Sequence, residues 1–257
     1  MFNICSILRN NQHWLEEEFL PLAYAIDRKY DNNKYYFYEN DSHDDTRKTI
    51  QRYFVDSEKI MDGELLFEDN NTTHHPRNES VDRIEHLANC RNKLLSMRPF
   101  DQNNEWTVMI DSDMIVDSTI FDEFICSDKP ANAVAIGCNG KNKSPCQHHE
   151  FCYHYYDTFA LVDIAGEWLY KDFICTCNHF KDKQSRELWK KKQLVPVCSA
   201  FGGMMFYKTD AINNENINYD TMTIDGRVVS EHVYFSSQLG LLGGIYIDPR
   251  LIIVNSE

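Results

Sequence analysis

An apolar run that ends in two carboxylates lies before the middle of the chain, and it reads Trp106-Thr107-Val108-Met109-Ile110-Asp111-Ser112-Asp113. Its apolar part is typical of a buried strand in a parallel sheet. In open α/β sheets, ligands bind beyond the carboxyl ends of the strands, where Asp111 and Asp113 follow. Side chains alternate along an extended chain, so both carboxylates point to one side. The stretch therefore predicts an α/β sheet with an acidic site at one edge.

Similar apolar runs lie on both sides of this strand and alternate with stretches of helical periodicity. Further strands are predicted at Phe2 to Leu8, Tyr35 to Tyr38, Glu64 to Phe67, Val134 to Gly137, Val195 to Cys198, Phe201 to Tyr207 and Gly244 to Val254. Helices are predicted at Trp14 to Tyr30, from the polar loop at Glu39 to Thr46 up to about Phe54, at Arg83 to Met97 and at Val229 to Leu241. The alternation of strands and helices in the first half predicts a doubly wound, mostly parallel sheet. Residues 141–192 show no clear pattern.

The composition is that of a folded chain, with 42% hydrophobic and 26% charged residues in a length of 257. Acids outnumber bases 40 to 26, and the formal net charge is −14. Nucleic acids and anionic membrane surfaces select for clustered Lys and Arg, so neither is an expected partner. The same charge means that a phosphorylated ligand needs a positive group to offset it.

No targeting segment is expected at the start of the sequence. The apolar run from Phe2 to Leu8 lacks a basic region before it, is short and is followed by Arg9, which is unlike a signal peptide. No stretch reaches the roughly 18 apolar residues of a membrane span. Nine cysteines without a signal peptide favour a reducing compartment, so we expect a cytoplasmic location.

The triplet Asp111-Ser112-Asp113 is the most informative local pattern. Two carboxylates on one side create a hard oxygen site that suits Mn²⁺ or Mg²⁺. Such a cation keeps positions open for water and phosphate oxygens. A turn after a strand is the alternative, because Asp and Ser are common in turns. The triplet alone leaves both interpretations open.

Two other motifs carry side chains suited to a phosphate or a sugar. Arg83 and Arg91 lie on a predicted helix, and the guanidinium group is well shaped for a diphosphate. Periodicity alone favours a solvated helix face there. Asp157 follows Tyr155 and Tyr156, and an aromatic ring beside a carboxylate suits a sugar. Core aromatics with a capping aspartate explain that second pattern equally well.

The last third of the chain adds two more motifs. Gly202 and Gly203 lie at the start of a predicted strand and allow close backbone approach to a ligand, although a bulge or a turn uses glycines as well. Glu231 and His232 follow Ser230 at the start of a predicted helix. Glu231 is a candidate general base and His232 a candidate third metal ligand. The alternative is a capping serine with a glutamate in the first helical turn.

A segment rich in cysteine and histidine lies between these motifs, with Cys138, Cys146, His148, His149, Cys152, Cys175, Cys177 and His179. These side chains are the soft ligands of structural zinc sites. The spacing, however, matches no paired Cys-x-x-Cys motif, and cysteine is also a common buried residue. Reduced thiols are therefore the favoured interpretation.

Taken in this order, the motifs resemble one family. The chain is similar to GT-A nucleotide-sugar glycosyltransferases, and more narrowly to capsule-associated mannosyltransferases and related glycosyltransferases of large DNA viruses. Five stretches carry the resemblance: Tyr38-Glu39-Asn40-Asp41-Ser42 with Asp45-Thr46; Arg83-Ile84 with Leu87-Ala88 and Arg91-Asn92; Tyr156-Asp157-Thr158-Phe159-Ala160 with Asp163-Ile164 and Gly166; Cys198 with Gly202-Gly203; and Ser230-Glu231-His232 with Tyr246-Ile247-Asp248-Pro249.

The resemblance implies one GT-A domain over residues 1–257, with a nucleotide-sugar half up to about residue 137 and an acceptor half after it. The residues implied to bind the donor are Leu8, Arg9, Asn10, Glu39, Asn40, Ser42, Arg83, Arg91, Asp111, Ser112, Gly202 and Gly203. Asp111 and Asp113 match the metal-binding Asp-x-Asp of such enzymes, with His232 as the third candidate ligand. Glu231 is the first candidate for the base and Asp157 the second.

The function predicted on this basis is metal-dependent transfer of a sugar from a UDP- or GDP-linked donor to a hydroxyl of a glycan or glycoprotein, with Mn²⁺ or Mg²⁺ as cofactor. A viral relative would act in the host cytoplasm or the virion. A metal-dependent nucleotidyltransferase or phosphohydrolase would use the same two aspartates. A non-catalytic carbohydrate-binding protein on this scaffold is the third hypothesis. The sequence leaves the donor, the acceptor, the stereochemistry and the oligomeric state open.

Overall fold

The computed structural model describes residues 1–55, 61–72, 80–146, 149–169, 180 and 182–255. Its strands are β1 (Phe2–Leu8), β2 (Lys34–Asn40), β3 (Gly63–Glu68), β4 (Trp106–Ile110), β5 (Met114–Ile115), β6 (Ala133–Cys146), β7 (His149–Tyr155), β8 (Val162–Asp163), β9 (Val195–Ser199), β10 (Met204–Lys208), β11 (Met222–Ile224), β12 (Arg227–Val229) and β13 (Gly244–Asn255). Its helices are α1 (Gln12–Trp14), α2 (Leu20–Asp27), α3 (Thr46–Val55), α4 (Val81–Leu95), α5 (Thr119–Cys126), α6 (Lys183–Lys190), α7 (Thr209–Ile212) and α8 (Glu231–Leu239), and a π-helical turn (Leu15–Phe19) joins α1 to α2.

Within the described ranges, eleven strands form one sheet in the order β3-β2-β1-β4-β10-β6-β13-β9-β8, with β5 paired to β13 and β7 to β6. Strands β3, β2, β1 and β4 run parallel to one another. Strand β10 runs antiparallel between β4 and β6, and β13 is parallel to β6. A separate antiparallel pair consists of β11 and β12. The predicted α/β class, a large sheet flanked by helices with a smaller antiparallel part, is confirmed.

The sheet has an apolar core on each face, because side chains alternate along its strands. In β1, Ile4 packs into one core with Phe19 of the π-helical turn. The next residue, Cys5, packs into the other core with Leu94 of α4 and Phe235 of α8. Helices on both faces leave the carboxyl ends of β1, β2 and β4 as the edge at which a ligand can enter.

Helix α4 carries a charged residue on its buried face. Ile84, Ala88, Arg91 and Leu95 are spaced by three or four residues and are all buried. This spacing places them along one side of the helix. A buried guanidinium is stable only with partners of opposite charge, so its position alone requires carboxylates nearby.

Most of the predicted elements are present, with boundaries shifted by a few residues. The strand predicted from Phe201 begins only at Met204, because Gly202 and Gly203 adopt φ of 69° and 80°, in the left-handed region. The last strand continues past Pro249 through a bulge, since residues 249–251 lie between two pairs that are adjacent on β6. The sequence did not predict α5, α7, β5 or the β11–β12 pair.

The segment from Lys141 to Lys192, for which no pattern was found, contributes the end of β6, then β7, β8 and α6 in its described parts. Of the residues considered for zinc, Cys138 is a buried free thiol. The side chains of the others, Cys146, His148, His149, Cys152, Cys175, Cys177 and His179, lie outside the described part of the structure. The zinc hypothesis therefore remains untested.

Gly202 occupies a position where a side chain does not fit. Its φ is +69°, and a Cβ atom there would lie 2.2 Å from the backbone oxygen of Cys138. We expect Gly202→Ala to lower the free energy of unfolding by at least about 3 kcal/mol, because left-handed strain adds to a clash with backbone.

Gly226→Ala is the matched control, since Gly226 has φ of +75° and no heavy atom within 4 Å of the added carbon. We expect it to cost about 1 kcal/mol, from strain alone. Urea unfolding measures both, and equal losses would contradict the packing explanation.

Candidate functional site

A cleft of about 360 Å³ opens at the carboxyl ends of β1, β2 and β4, with α4 as its other wall. It is lined by Ile7, Leu8, Arg9, Asn10, Asn11, Asn40, Arg83, His86, Leu87, Cys90, Arg91, Asp111, Ser112, Asp113 and Tyr156. The three strands are parallel, so the residues that follow them meet at one edge of the sheet. The cleft thus contains both carboxylates of the triplet and three arginines.

Asn11 connects the loop after β1 to the acidic triplet. Its Oδ1 accepts hydrogen bonds from the backbone N–H of Arg9 at 2.6 Å and from the hydroxyl of Ser112 at 2.9 Å. Its Nδ2 donates to the carbonyl of Ser112 at 3.2 Å. The backbone N–H of Asn10 donates to Oγ of Ser42 at 2.9 Å. These bonds hold the loops after β1, β2 and β4 together, and Asn10 and Ser112 line the cleft whereas Ser42 does not.

Two buried acids hold the loop after β2. Glu39 is fully buried and forms an ion pair with Nε of Arg47 at 2.5 Å. The carboxylate of Asp41 accepts backbone N–H bonds from Thr72 at 3.1 Å and Asn70 at 2.7 Å. Burial raises the pKa of Asp41, but the hydrogen bonds from Thr72 and its neighbours outweigh it and lower that pKa below its usual range. Glu39 lies away from the cleft and supports the loop that presents Asn40.

Arg91 is a buried charge between two carboxylates. Its Nη2 donates to Oδ1 of Asp111 at 2.9 Å, and its Nε donates to Oε1 of Glu231 at 2.9 Å. The guanidinium also lies over the rings of Phe201 and Tyr219, at 5.0 and 5.8 Å. Burial lowers the pKa of Arg91, but the two carboxylates outweigh it and raise that pKa well above its usual value. Its Nη1 is buried and has no hydrogen-bond partner among the described residues.

Asp111 and Asp157 both have a raised pKa. Burial is the main cause at Asp111, whose pKa rises to about 6 against the opposing charge of Arg91 and with a contribution from Asp113. Burial also raises the pKa of Asp157 to about 7, and the negative charge of Asp111 adds to this. A carboxyl group with a pKa near 7 exchanges its proton readily at neutral pH, which a general base must do.

Asp113 has two donors at one carboxylate oxygen. The hydroxyl of Tyr156 donates to its Oδ2 at 2.8 Å, and Nδ2 of Asn255 donates to the same oxygen at 3.0 Å. Burial raises the pKa of Tyr156, so this hydroxyl stays protonated. The sequence assigned no role to Tyr156 beyond its place in an aromatic motif and none to Asn255. Both reach Asp113 from distant parts of the chain.

His232 does not join the acidic pair. Its ring stacks on Phe201, with centroids 3.8 Å apart, and meets Tyr219 edge-on at 5.5 Å. Burial lowers its pKa well below the usual value, so the ring is neutral. Across the described ranges, no three His, Cys, Asp or Glu side chains are grouped so that they could hold a metal ion. The three ligands predicted from the sequence are therefore not brought together.

The cleft gathers part of the predicted set: Leu8, Arg9, Asn10, Asn40, Arg83, Arg91, Asp111, Ser112 and Asp113. Outside its lining lie Glu39, Ser42, Asp157, Gly202, Gly203, Glu231 and His232. Gly203 still supports it, because its carbonyl accepts the backbone N–H of Asp111 at 2.8 Å. His86, Leu87 and Cys90 were missed, although helical spacing from Arg83 and Arg91 places them on the same face of α4.

A family model described as Cryptococcal mannosyltransferase 1 matches residues 2–237. The chain belongs to this family. The matched residues include the whole cleft lining, from Ile7 to Tyr156, and Glu231 on α8. Asn255, which contacts Asp113, lies beyond them.

Solved glycosyltransferases share the fold of this family member. TarS 1–349 of S. aureus matches with a TM-score of 0.55 and 11% identity, over 99% of this chain and 60% of that one. PcManGT, a mannosyltransferase from Pyrobaculum calidifontis in complex with GDP-Man and Mn²⁺, gives 0.57 and 12%, over 99% and 56%. GalNAc-T7 with UDP, GalNAc and Mn²⁺ gives 0.55 and 10%, over 99% and 43%. The predicted GT-A fold is thereby confirmed.

The family member spans at most 60% of the length of these three solved chains. No curated protein sequence matches it. Of the helices in the described ranges, none combines the length and the apolar character needed to cross a membrane.

Proposed function

We propose that the protein is a metal-dependent glycosyltransferase that moves a hexose from a UDP- or GDP-linked donor to a hydroxyl of a glycan or glycoprotein. The observation that carries the proposal is the cleft, which combines Asp111 and Asp113 with the guanidinium groups of Arg9, Arg83 and Arg91. A divalent cation needs hard oxygen ligands, and a diphosphate needs positive partners. Membership of a mannosyltransferase family supports the same activity.

The donor would lie between the loops after β1 and β2 and the face of α4. A volume of about 360 Å³ is within the range of small-molecule sites. We assign the nucleoside to Leu8, Asn10 and Asn40, and the diphosphate to Arg83. The Nη1 atom of Arg91 is a donor left for a phosphate or sugar oxygen. The cleft is lined almost entirely by residues before 137, which supports a donor half there and an acceptor half after it.

Asp113 would be the main ligand of Mn²⁺ or Mg²⁺. The hydroxyl of Tyr156 and the amide of Asn255 lie beside its carboxylate, and carboxylate and amide oxygens suit these hard cations. The cation, when bound, supplies positive charge against the negative charge that develops on the leaving diphosphate. Two of the structures with the same fold contain Mn²⁺, which supports the assignment.

An inverting transfer needs a carboxylate base beside the acceptor hydroxyl. Glu231 was the first candidate from the sequence, but its carboxylate is buried in an ion pair with Nε of Arg91 and does not line the cleft. Asp157, with a pKa near 7, is better suited to that role. We therefore propose Asp157 as the base of an inverting reaction and Glu231 as a partner of Arg91.

A screen of UDP- and GDP-sugars with Mn²⁺ tests the proposed activity. We expect one donor to release its nucleoside diphosphate, and an acceptor glycan to increase the rate. Release of phosphate or pyrophosphate from a nucleoside triphosphate would instead indicate the phosphohydrolase or nucleotidyltransferase. Sugar binding without turnover of any donor would contradict the proposal and favour the binding protein.

A further inference from the structure

Asn255 lies beside Asp113 because of the pairing of two strands. Strand β5 follows Asp113 directly and pairs antiparallel with the end of β13, with Asn255 opposite Met114. This register brings the amide of Asn255 to within 3.0 Å of Oδ2 of Asp113. Asn255 is buried, at 5% exposure. The contact is therefore fixed by the sheet and does not depend on a surface side chain.

A cation bound at Asp111 and Asp113 needs a further oxygen ligand from elsewhere in the chain. Asp111 is held in an ion pair with Arg91, and His232 is packed between aromatic rings. No third His, Cys, Asp or Glu in the described ranges completes a metal site. An uncharged amide oxygen is an accepted ligand of hard divalent cations.

We infer that Asn255 supplies that ligand, so that a divalent cation is bound by Asp113 together with the side-chain oxygen of Asn255. The inference rests on the proposed metal dependence and adds a residue to it. In the structure the amide donates its N–H to Asp113. Rotation about the bond from Cβ to Cγ exchanges Oδ1 and Nδ2, so the same side chain presents its oxygen when a cation occupies the position.

Mn²⁺ binding, followed by the electron paramagnetic resonance signal of free Mn²⁺ in the presence of UDP or GDP, tests this assignment without an activity assay. We expect Asn255→Ala to weaken Mn²⁺ binding about tenfold or more, a loss typical of groups that support a metal site. Asn255→Asp keeps an oxygen ligand and adds a charge, so we expect it to bind Mn²⁺ at least as tightly as the unchanged protein. Asn216→Ala, at an exposed asparagine, is the control and should change nothing.

Three results would overturn the assignment. Unchanged Mn²⁺ binding by Asn255→Ala would remove Asn255 from the site. If Asn255→Asp weakens binding as much as Asn255→Ala, the amide only donates its hydrogen bond to Asp113. If the unchanged protein binds no Mn²⁺, the proposed metal dependence fails as well, which distinguishes that failure from the first two. Melting temperatures without metal show that each variant is folded.

Discussion

Replacing Asp113 by asparagine is expected to lower kcat/KM for donor turnover about 1,000-fold, equivalent to about 4 kcal/mol. The amide is nearly the same size as the carboxylate and keeps an oxygen for the hydroxyl of Tyr156. The fold should therefore be preserved while the negative charge that we propose binds the cation is lost. Initial rates over a range of Mn²⁺ concentrations measure the effect. Higher Mn²⁺ should restore part of the activity, because the variant is impaired in binding the cation.

Asp128→Asn is the control for this variant, because Asp128 is exposed and the same charge is removed at a residue outside the cleft lining. We expect its kcat/KM to equal that of the unchanged protein within a factor of two or so. If Asp113→Asn retained full activity at every Mn²⁺ concentration, Asp113 would not be the metal ligand.

The second large effect is expected at Arg91. Arg91→Leu leaves the buried carboxylate of Glu231 and the partly buried carboxylate of Asp111 without their shared cation, and breaking a buried pair typically costs about 3–5 kcal/mol. Urea unfolding should show that loss of stability. Catalysis should fall as well, because Asp111 loses the partner that holds its carboxylate in place.

A triple variant separates the charge effect from the loss of packing. Arg91→Leu combined with Asp111→Asn and Glu231→Gln removes all three charges, and uncharged replacements of a buried ion cluster are often close to neutral in stability. We expect it to regain most of the lost free energy of unfolding and no activity. Arg28→Leu, at an exposed arginine, should change stability by about 0.5 kcal/mol or less. If Arg91→Leu were as mild as Arg28→Leu, the buried ion cluster would contribute little.

The parts of the fold that are determined by residues close together in the sequence could be predicted. Strands β1 and β4 were predicted with the bounds found in the structure, because their apolar runs are short and clearly delimited. The position of Asp111 and Asp113 at the carboxyl edge followed from that strand. Arg91 could also have been placed on the buried face of α4, since Ile84, Ala88 and Leu95 share its helical spacing. That periodicity was instead taken to favour a solvated face.

The contacts that could not be predicted join residues far apart in the chain. Asn255 reaches Asp113 only through the pairing of β5, a two-residue strand, with the end of β13. Tyr156 reaches it from the turn after β7. The sequence predicted His232 as a third metal ligand, next to Glu231 at the start of a helix. Its environment of Phe201 and Tyr219 comes from tertiary packing that no local pattern contains.

The protein has a net charge of −14 and repels an anionic nucleotide. A bound cation is therefore central to the proposed binding of the donor. Calorimetric titration of UDP and GDP into the protein, once with Mn²⁺ and once with EDTA, tests that claim most directly. We expect the preferred nucleotide to bind at least about 100-fold more tightly with Mn²⁺, a difference of about 2.7 kcal/mol. Equal affinity under the two conditions would contradict the account, since the arginines of the cleft would then hold the diphosphate without a metal.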